Sequence, residues 1–308
     1  MTLRGRILYV VAFDAGEAAI TWQVAQLSKA WQTPVVLLGV HPAAWFRFIT
    51  DDRRRELKRR LLEVAKRLRG LKGHVAGIKA VTGDFCTESR RFADQIGAEL
   101  IMVGAGAEAV TDSLAISPAT FELARRARQD VWICKPDADP NIDHVLCAAD
   151  TSALAGDAVR RSVDLCRRFN ARLRLLSVLP EPEREADPEE ATRLGREQQR
   201  QFLDQFDLGG VALSRAIVWG QQTQVEVLLE AERFADGLLV MGAASTTRTT
   251  GLGATTEPVL RACPSSILIV RRRSGETREE TAGTAVAKDR AADGERGAQL
   301  APTSPPSR

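Results

Sequence analysis

The chain has 308 residues, 44% of them hydrophobic and 27% charged, with a formal net charge of only +3. That length holds two domains with cores of their own, and the interleaving of acids with bases excludes a protein whose main business is nucleic acid. Five cysteines, Cys86, Cys134, Cys147, Cys166 and Cys263, stand without a CxxC or histidine-spaced partner, which reads as reduced, buried thiols in a cytoplasmic protein and excludes a disulfide frame and a zinc site.

The amino terminus, MTLRGRILYVVAFD, starts basic, but its apolar run is too short for a signal peptide and ends in Asp14. No window reaches the length of a membrane span. ILYVVAFD itself reads as a strand buried on both faces. Residues 16–31 follow as a helix, with Ala19, Trp22, Val24, Ala25, Leu27 and Ala30 able to form its inward stripe, and Val35 to Val40 form the next strand. Residues 51–71 predict a charged helix with Leu57, Leu61, Leu62, Val64, Ala65 and Leu68 on the apolar side. Its arginine run reads as a solvated face, because acids are mixed into it. HVAGIKAV, a helix from Cys86 to Ile96, LIMVG, a helix from Ala119 to Arg128 and VWICK complete the first unit.

The same order starts again at His144: VLCAAD, a helix through Val159 to Phe169, RLRLLSV, a helix from Pro188 to Phe206, SRAIVW, a helix from Val225 to Phe234, LLVMG, TTEPVLRACP and SSILIV. Corresponding landmarks keep a nearly constant spacing: Asp14 and Asp150 are 136 residues apart, Gly83 and Gly220 137, Gly104 and Gly242 138. So long a period means tandem domains and not a solenoid. Alternating strands and helices predict an α/β fold, two tandem doubly wound (Rossmann-like) domains each with a five-stranded parallel sheet. The expected boundaries are 1–137 and 142–272, with a proline-bearing seam at KPDADPNID, and residues 273–308 lack any apolar period and are expected to form a disordered tail.

Residues 237–270 come nearest to stating a chemistry. They read strand, a loop of Ser, Thr and Gly, a helix start and a second strand. Glycines after a parallel strand let backbone N–H groups approach a phosphate at a helix amino terminus. The bland alternative is a turn that needs glycine only for its dihedrals.

From Arg6 to about Arg271 both units resemble the universal stress protein domain, whose last loop reads strand, Gly-x-x-Gly, nine residues, Gly-Ser/Thr, helix, strand. The resemblance implies that Gly242 opens the motif, Ser245 stands at its second glycine, Gly253 at its last glycine and Ala254 at its hydroxyl, in a loop two residues shorter than the pattern. Gly251, Thr255 and Thr256 keep glycine freedom and hydroxyls nearby. The same resemblance gives Asp150 the nucleoside contact at the end of the first strand, and Val178 a place in the adenine pocket. It thus implies ATP binding that is weak or absent, confined to the second unit. In the first unit Ala107 stands for the second glycine and Ser117-Pro118 for Gly-Ser, so no ATP is expected there. A tandem chain with a degenerate first half is most similar to the universal stress protein E type. As separate subunits of that family do, the two units are expected to pair through VWICK and SSILIV.

Catalytic signals are weak. Only His41, His74 and His144 are present, and His41 alone falls on the ligand side of the expected sheet. Cys86 stands at a helix start, where a thiol pKa can fall, but no base accompanies it. GxSxG, HExxH and P-loop lysine motifs are missing, so no catalytic residue and no metal site is assigned. Function therefore reads as a cytoplasmic stress-response regulator, with no membrane or nucleic-acid partner. A homodimer and an unidentified protein partner stay open. So do two rivals: an interaction or apolar-ligand protein without nucleotide, and an ATP hydrolase or nucleotidyl transferase.

Overall fold

The computed structural model describes residues 5–13, 16–42, 51–106, 116–135, 141–150, 155–180, 187–234, 237–243 and 251–271. The first unit runs β1 (Arg6–Val10), α1 (Glu17–Trp31), β2 (Val35–Pro42), α2 (Asp51–Gly70), β3 (Val75–Gly83), α3 (Phe85–Ile96), β4 (Ala98–Gly104), α4 (Pro118–Arg126) and β5 (Asp130–Cys134). The second runs β6 (His144–Ala148), α5 (Gly156–Phe169), β7 (Arg172–Leu179), α6 (Pro188–Leu203), β8 (Leu213–Trp219), α7 (Thr223–Arg233), β9 (Leu238–Gly242), α8 (Thr256–Ala262) and β10 (Ser266–Val270). Residues 273–308, the expected tail, lie outside the described residues.

The two expected five-stranded sheets are in fact halves of one ten-stranded sheet, ordered β3-β2-β1-β4-β5-β10-β9-β6-β7-β8. All neighbours are parallel except β5 and β10, which meet antiparallel with Trp132 opposite Leu268, Val131 opposite Ile269 and Ile133 opposite Ile267. Each residue therefore faces the counterpart of its mirror neighbour, the pattern of a self-complementary twofold interface. Physically, VWIC and SILIV are apolar on both faces and would otherwise be open edges, so merging the sheets satisfies their backbone groups and removes two aggregation-prone edges at once.

Two apolar layers continue across this seam, one on each face of the sheet. One packs Val24, Leu27, Leu61, Leu68, Trp132, Val159, Leu165 and Leu268 together; the other joins Leu8, Ile101, Phe121, Ile133, Val227, Leu239, Leu260 and Ile267. Residues up to Arg272 accordingly form one compact unit.

Polar groups also cross the seam. Asp130, 4% exposed, accepts from the Arg161 guanidinium at 2.8 Å and from the backbone N–H of Arg271 at 2.8 Å. Its positional counterpart Ser266 accepts from the backbone N–H of Lys135 at 3.1 Å. Asp164 accepts from Trp31 Nε1 at 2.9 Å and from Arg168 at 3.0 Å, and Arg168 also donates to the carbonyl of Ala30. Buried charges like these cost free energy unless fully paired, and here each carboxylate has two partners.

Local signals explain the helix limits. Asp84 caps α3 by accepting from the N–H of Thr87 at 2.7 Å, and Gly97 ends it at φ +61°. Ser117 caps α4 with Pro118 at its first turn. On α2 the arginine run is a solvated face: Arg59 pairs with Glu56 and Glu63, both at 2.7 Å. Leu62, counted above with the apolar side, is 49% exposed, because the buried stripe is set by Leu61, Val64, Ala65 and Leu68 and the helical turn carries Leu62 off it.

Candidate functional site

In the second half, β6 and β9 lie side by side with Ala148 opposite Met241. From β6 the chain crosses to β7 on one side, whereas β9 continues to β10 on the other. The helices on either side of such a reversal diverge, and a crevice is left above the carboxyl ends of the strands. Here it is a cleft of about 260 Å³. Ala148, Ala149 and Asp150 come from the end of β6, Leu176 and Val178 from β7, Met241, Gly242 and Ala243 from β9. Thr223 and Val227 of α7, Ala155 before α5, and Thr255 and Thr256 at the start of α8 close the walls.

Of the residues singled out in the sequence, Asp150, Val178, Gly242 and Thr255 line this cleft. Gly251, Gly253 and Ala254 are not among the lining residues; the Gly251 carbonyl instead accepts from Arg271 at 2.9 Å. Ser245 lies outside the described residues. An ideal Cβ built on Gly242 meets no atom within 4 Å, so the strand end faces empty space. Thr256 anchors the helix start by donating from its hydroxyl to the Gly242 carbonyl at 3.0 Å. Thr223 and Val227 were not legible beforehand, since no sequence period tells how far α7 leans over the strand ends.

At the equivalent strand end in the first half the helix start is drawn close. Ser117 donates its N–H to the Ala105 carbonyl at 2.7 Å, and Thr120 donates to the Gly104 carbonyl at 3.1 Å. Gly106, at φ +104°, lies so near Ser117 that a Cβ there would sit 2.5 Å from the serine Cβ. Among the described residues no corresponding bond ties Gly253 to Ala243.

Strand register also corrects one landmark. Val10 pairs with Leu38 and Val103, and Ala148 pairs with Leu176 and Met241, each residue 138 positions after its counterpart. That sets Ala12, not Asp14, at the level of Asp150. Asp14 itself lies outside the described residues.

The other candidates are quiet. All five cysteines are free and buried. Burial pushes the Cys147 and Cys166 thiols up to about 12 and Cys263 up to about 11. Cys86 is raised too, chiefly by burial, against the lowering that a helix start could give. His41 Nδ1 lies 3.2 Å from the Pro42 carbonyl, beside a hollow of only about 10 Å³.

Residues 141–271 fit the model of the Universal stress protein family. Over those residues the second half of this chain is similar to that family's domain. A search of curated proteins by sequence gives no match. Among solved structures, a universal stress protein from Archaeoglobus fulgidus is similar at 18% identity and a TM-score of 0.65, over 88% of this chain and 97% of that one. A functionally unknown protein from Pseudomonas aeruginosa matches at 18% identity and a TM-score of 0.69, over 87% and 93%. At that identity the likeness concerns the fold, and it runs through both halves.

Among its described lining residues the cleft has one ionisable group, Asp150, beside three threonines and an otherwise apolar wall. Among the described residues its lining carries no arginine or lysine. The arrangement offers apolar wall at Val178 and Met241 and a hydrogen-bond acceptor at Asp150, and no described lining residue is a cation that would neutralise a phosphate. Among the described residues there is no His, Cys, Asp and Glu group fit to hold a metal, and no helix is long and apolar enough to cross a membrane.

Proposed function

We propose that this protein is a cytoplasmic stress-response regulator without dedicated catalysis, and that its second half holds an adenine nucleoside or nucleotide weakly in the β6–β9 cleft. The observation that carries this reading is the open cleft at the reversal point, lined by Asp150, Val178, Gly242 and Thr255 together. Its volume of about 260 Å³ lies just under the roughly 300–1,000 Å³ of drug-sized sites, which suits a nucleoside. Weak binding of ATP follows from a described lining without cations and from Ala254 in the hydroxyl position. ATP and adenosine should then bind within about tenfold of each other, since a phosphate grip of even one charge-assisted hydrogen bond is worth roughly that factor. Because β5 and β10 already pair within the chain, this function needs no homodimer through those strands.

Calorimetric titration of the full chain with adenosine and with ATP tests the proposal. Gly242→Leu puts a side chain into empty space in the cleft and should abolish both signals while leaving the fold intact. No heat from the unsubstituted protein, or unchanged heat from Gly242→Leu, would refute it. The apolar wall of Ala148, Ala149, Leu176, Val227, Met241 and Ala243 favours a second reading, a small apolar ligand. Native mass spectrometry of the protein as purified separates the two by the mass it carries.

A further inference from the structure

A different kind of hollow lies at the open edge of the sheet, where β8 is the last strand. A cleft of about 430 Å³ opens there between α6, β8 and α7, with Arg174, Arg196, Arg215 and Arg233 in its lining beside Glu230. It adjoins a hollow of about 300 Å³ that shares Arg196 and Arg215 and adds Arg193 and Arg200, with Glu189 and Glu197. Six arginines thus face three glutamates.

The partners of these groups decide what charge is left over. Glu230 is 2% exposed and already used: Arg174 Nε donates to one carboxylate oxygen and Arg233 to the other at 2.9 Å. Arg193 pairs with Glu190 of its own helix at 2.5 Å. Arg196 and Arg215, in contrast, have no ion pair or side-chain hydrogen bond among the described residues, although they project into one concavity from two elements. A guanidinium cannot shed its proton to relieve that repulsion, and its planar fork of donors matches phosphate oxygens. The walls are also held in place. Buried Gln199 of α6 donates to Ser177 Oγ at 3.0 Å and to the Ala216 carbonyl at 3.2 Å, and Trp219 Nε1 donates to Thr192 Oγ1 at 3.2 Å, clamping α6 onto β7 and β8.

We propose that this edge cleft binds a small phosphate-bearing anion bridged between Arg196 and Arg215, with Arg174 behind them. A polyanion is required because Glu189 and Glu197 oppose any single charge. This site is separate from the β6–β9 cleft, whose described lining holds no cation, and it stands or falls independently of the nucleoside reading.

The test is calorimetric titration of the full chain with inorganic pyrophosphate at constant ionic strength in chloride buffer. The unsubstituted protein and Gly242→Leu should bind it alike, while Arg196→Ala/Arg215→Ala should lose roughly tenfold or more for each guanidinium removed. Both side chains are exposed, so the double substitution leaves the core untouched. Adenosine, which has no phosphate, should titrate this double variant as it does the parent. Cosedimentation with vesicles bearing phosphate-monoester head groups identifies the source: loss in the same variant supports a lipid head group, and pyrophosphate binding without sedimentation supports a free anion. Absence of pyrophosphate binding, or equal affinity in the double variant, overturns the proposal.

Discussion

The carboxyl ends of β4 and β9 begin alike and finish differently. Each strand ends in a glycine whose carbonyl accepts from a helix threonine, Gly104 from Thr120 and Gly242 from Thr256. After that, the first half draws its helix start down onto the strand end, with Ser117 bonded to Ala105 and pressed against Gly106. In the second half the space beside Gly242 is open and forms a cleft. A shared frame therefore does not imply a shared site: one backbone bond and one serine side chain separate a filled turn from a pocket.

The largest effect we expect is at the seam, where the halves use different residues for the same backbone contact. Asp130 and Ser266 both accept a partner N–H, but only Asp130 brings a charge, neutralised by buried Arg161. Arg161→Leu should cost about 3–5 kcal/mol in urea unfolding, the cost of stranding a buried carboxylate. Asp130→Ser added to Arg161→Leu should recover most of it, because the pair then copies the uncharged solution of Ser266. An Arg161→Leu protein as stable as the parent would show that water already screens the pair.

Next, the two strand ends can be set against each other. Gly106→Ala forces a Cβ against Ser117 at a left-handed φ, and should destabilise by roughly 1–3 kcal/mol without changing adenosine binding. Gly242→Leu should do the reverse, removing ligand heat at little cost in stability. If both substitutions lower stability and neither alters binding, the contrast between a filled turn and an open site fails.

The smallest effect concerns helix starts. Asp84 caps α3, whereas its counterpart Gln222, also in an extended conformation, gives α7 no side-chain cap. Gln222→Asp should therefore raise stability by about 0.5–1 kcal/mol. Hydrogen bonds from Thr87, side chain first and then backbone, hold Asp84 below its ordinary value of 3.8. A folded pKa below the unfolded one means stability that is fully present above about that value and lost as the pH falls below it through the lowered one. The gain from Gln222→Asp should show the same acid limb in thermal melts at pH 7 and pH 3; a pH-independent gain would point to packing and not to a charged cap.

Much of this architecture was legible in the residues. Continuous apolar runs such as VWIC and SILIV marked buried strands, the repeat spacing revealed two like units, and Asp150, Val178 and Gly242 were picked out before any coordinate placed them around one cleft. Hydrophobic period and glycine position are local properties, so they survive in one dimension. Spacing was less reliable where an irregular segment intervened: Asp14 and Asp150 share a motif, yet hydrogen-bond register sets Ala12 level with Asp150.

Other features depend on which segments meet, and no local pattern encodes that. The pairing of VWICK with SSILIV was expected from the family resemblance and is found, but its antiparallel register, with Trp132 opposite Leu268, is set only when the two edges meet. Thr223 and Val227 join the cleft because α7 leans over strand ends from another part of the chain. Arg174, Arg196 and Arg215 stand far apart in the sequence. Only the packing of α6 and α7 around the edge strand turns them toward one hollow, because charge density is set by distance in space and not by distance along the chain.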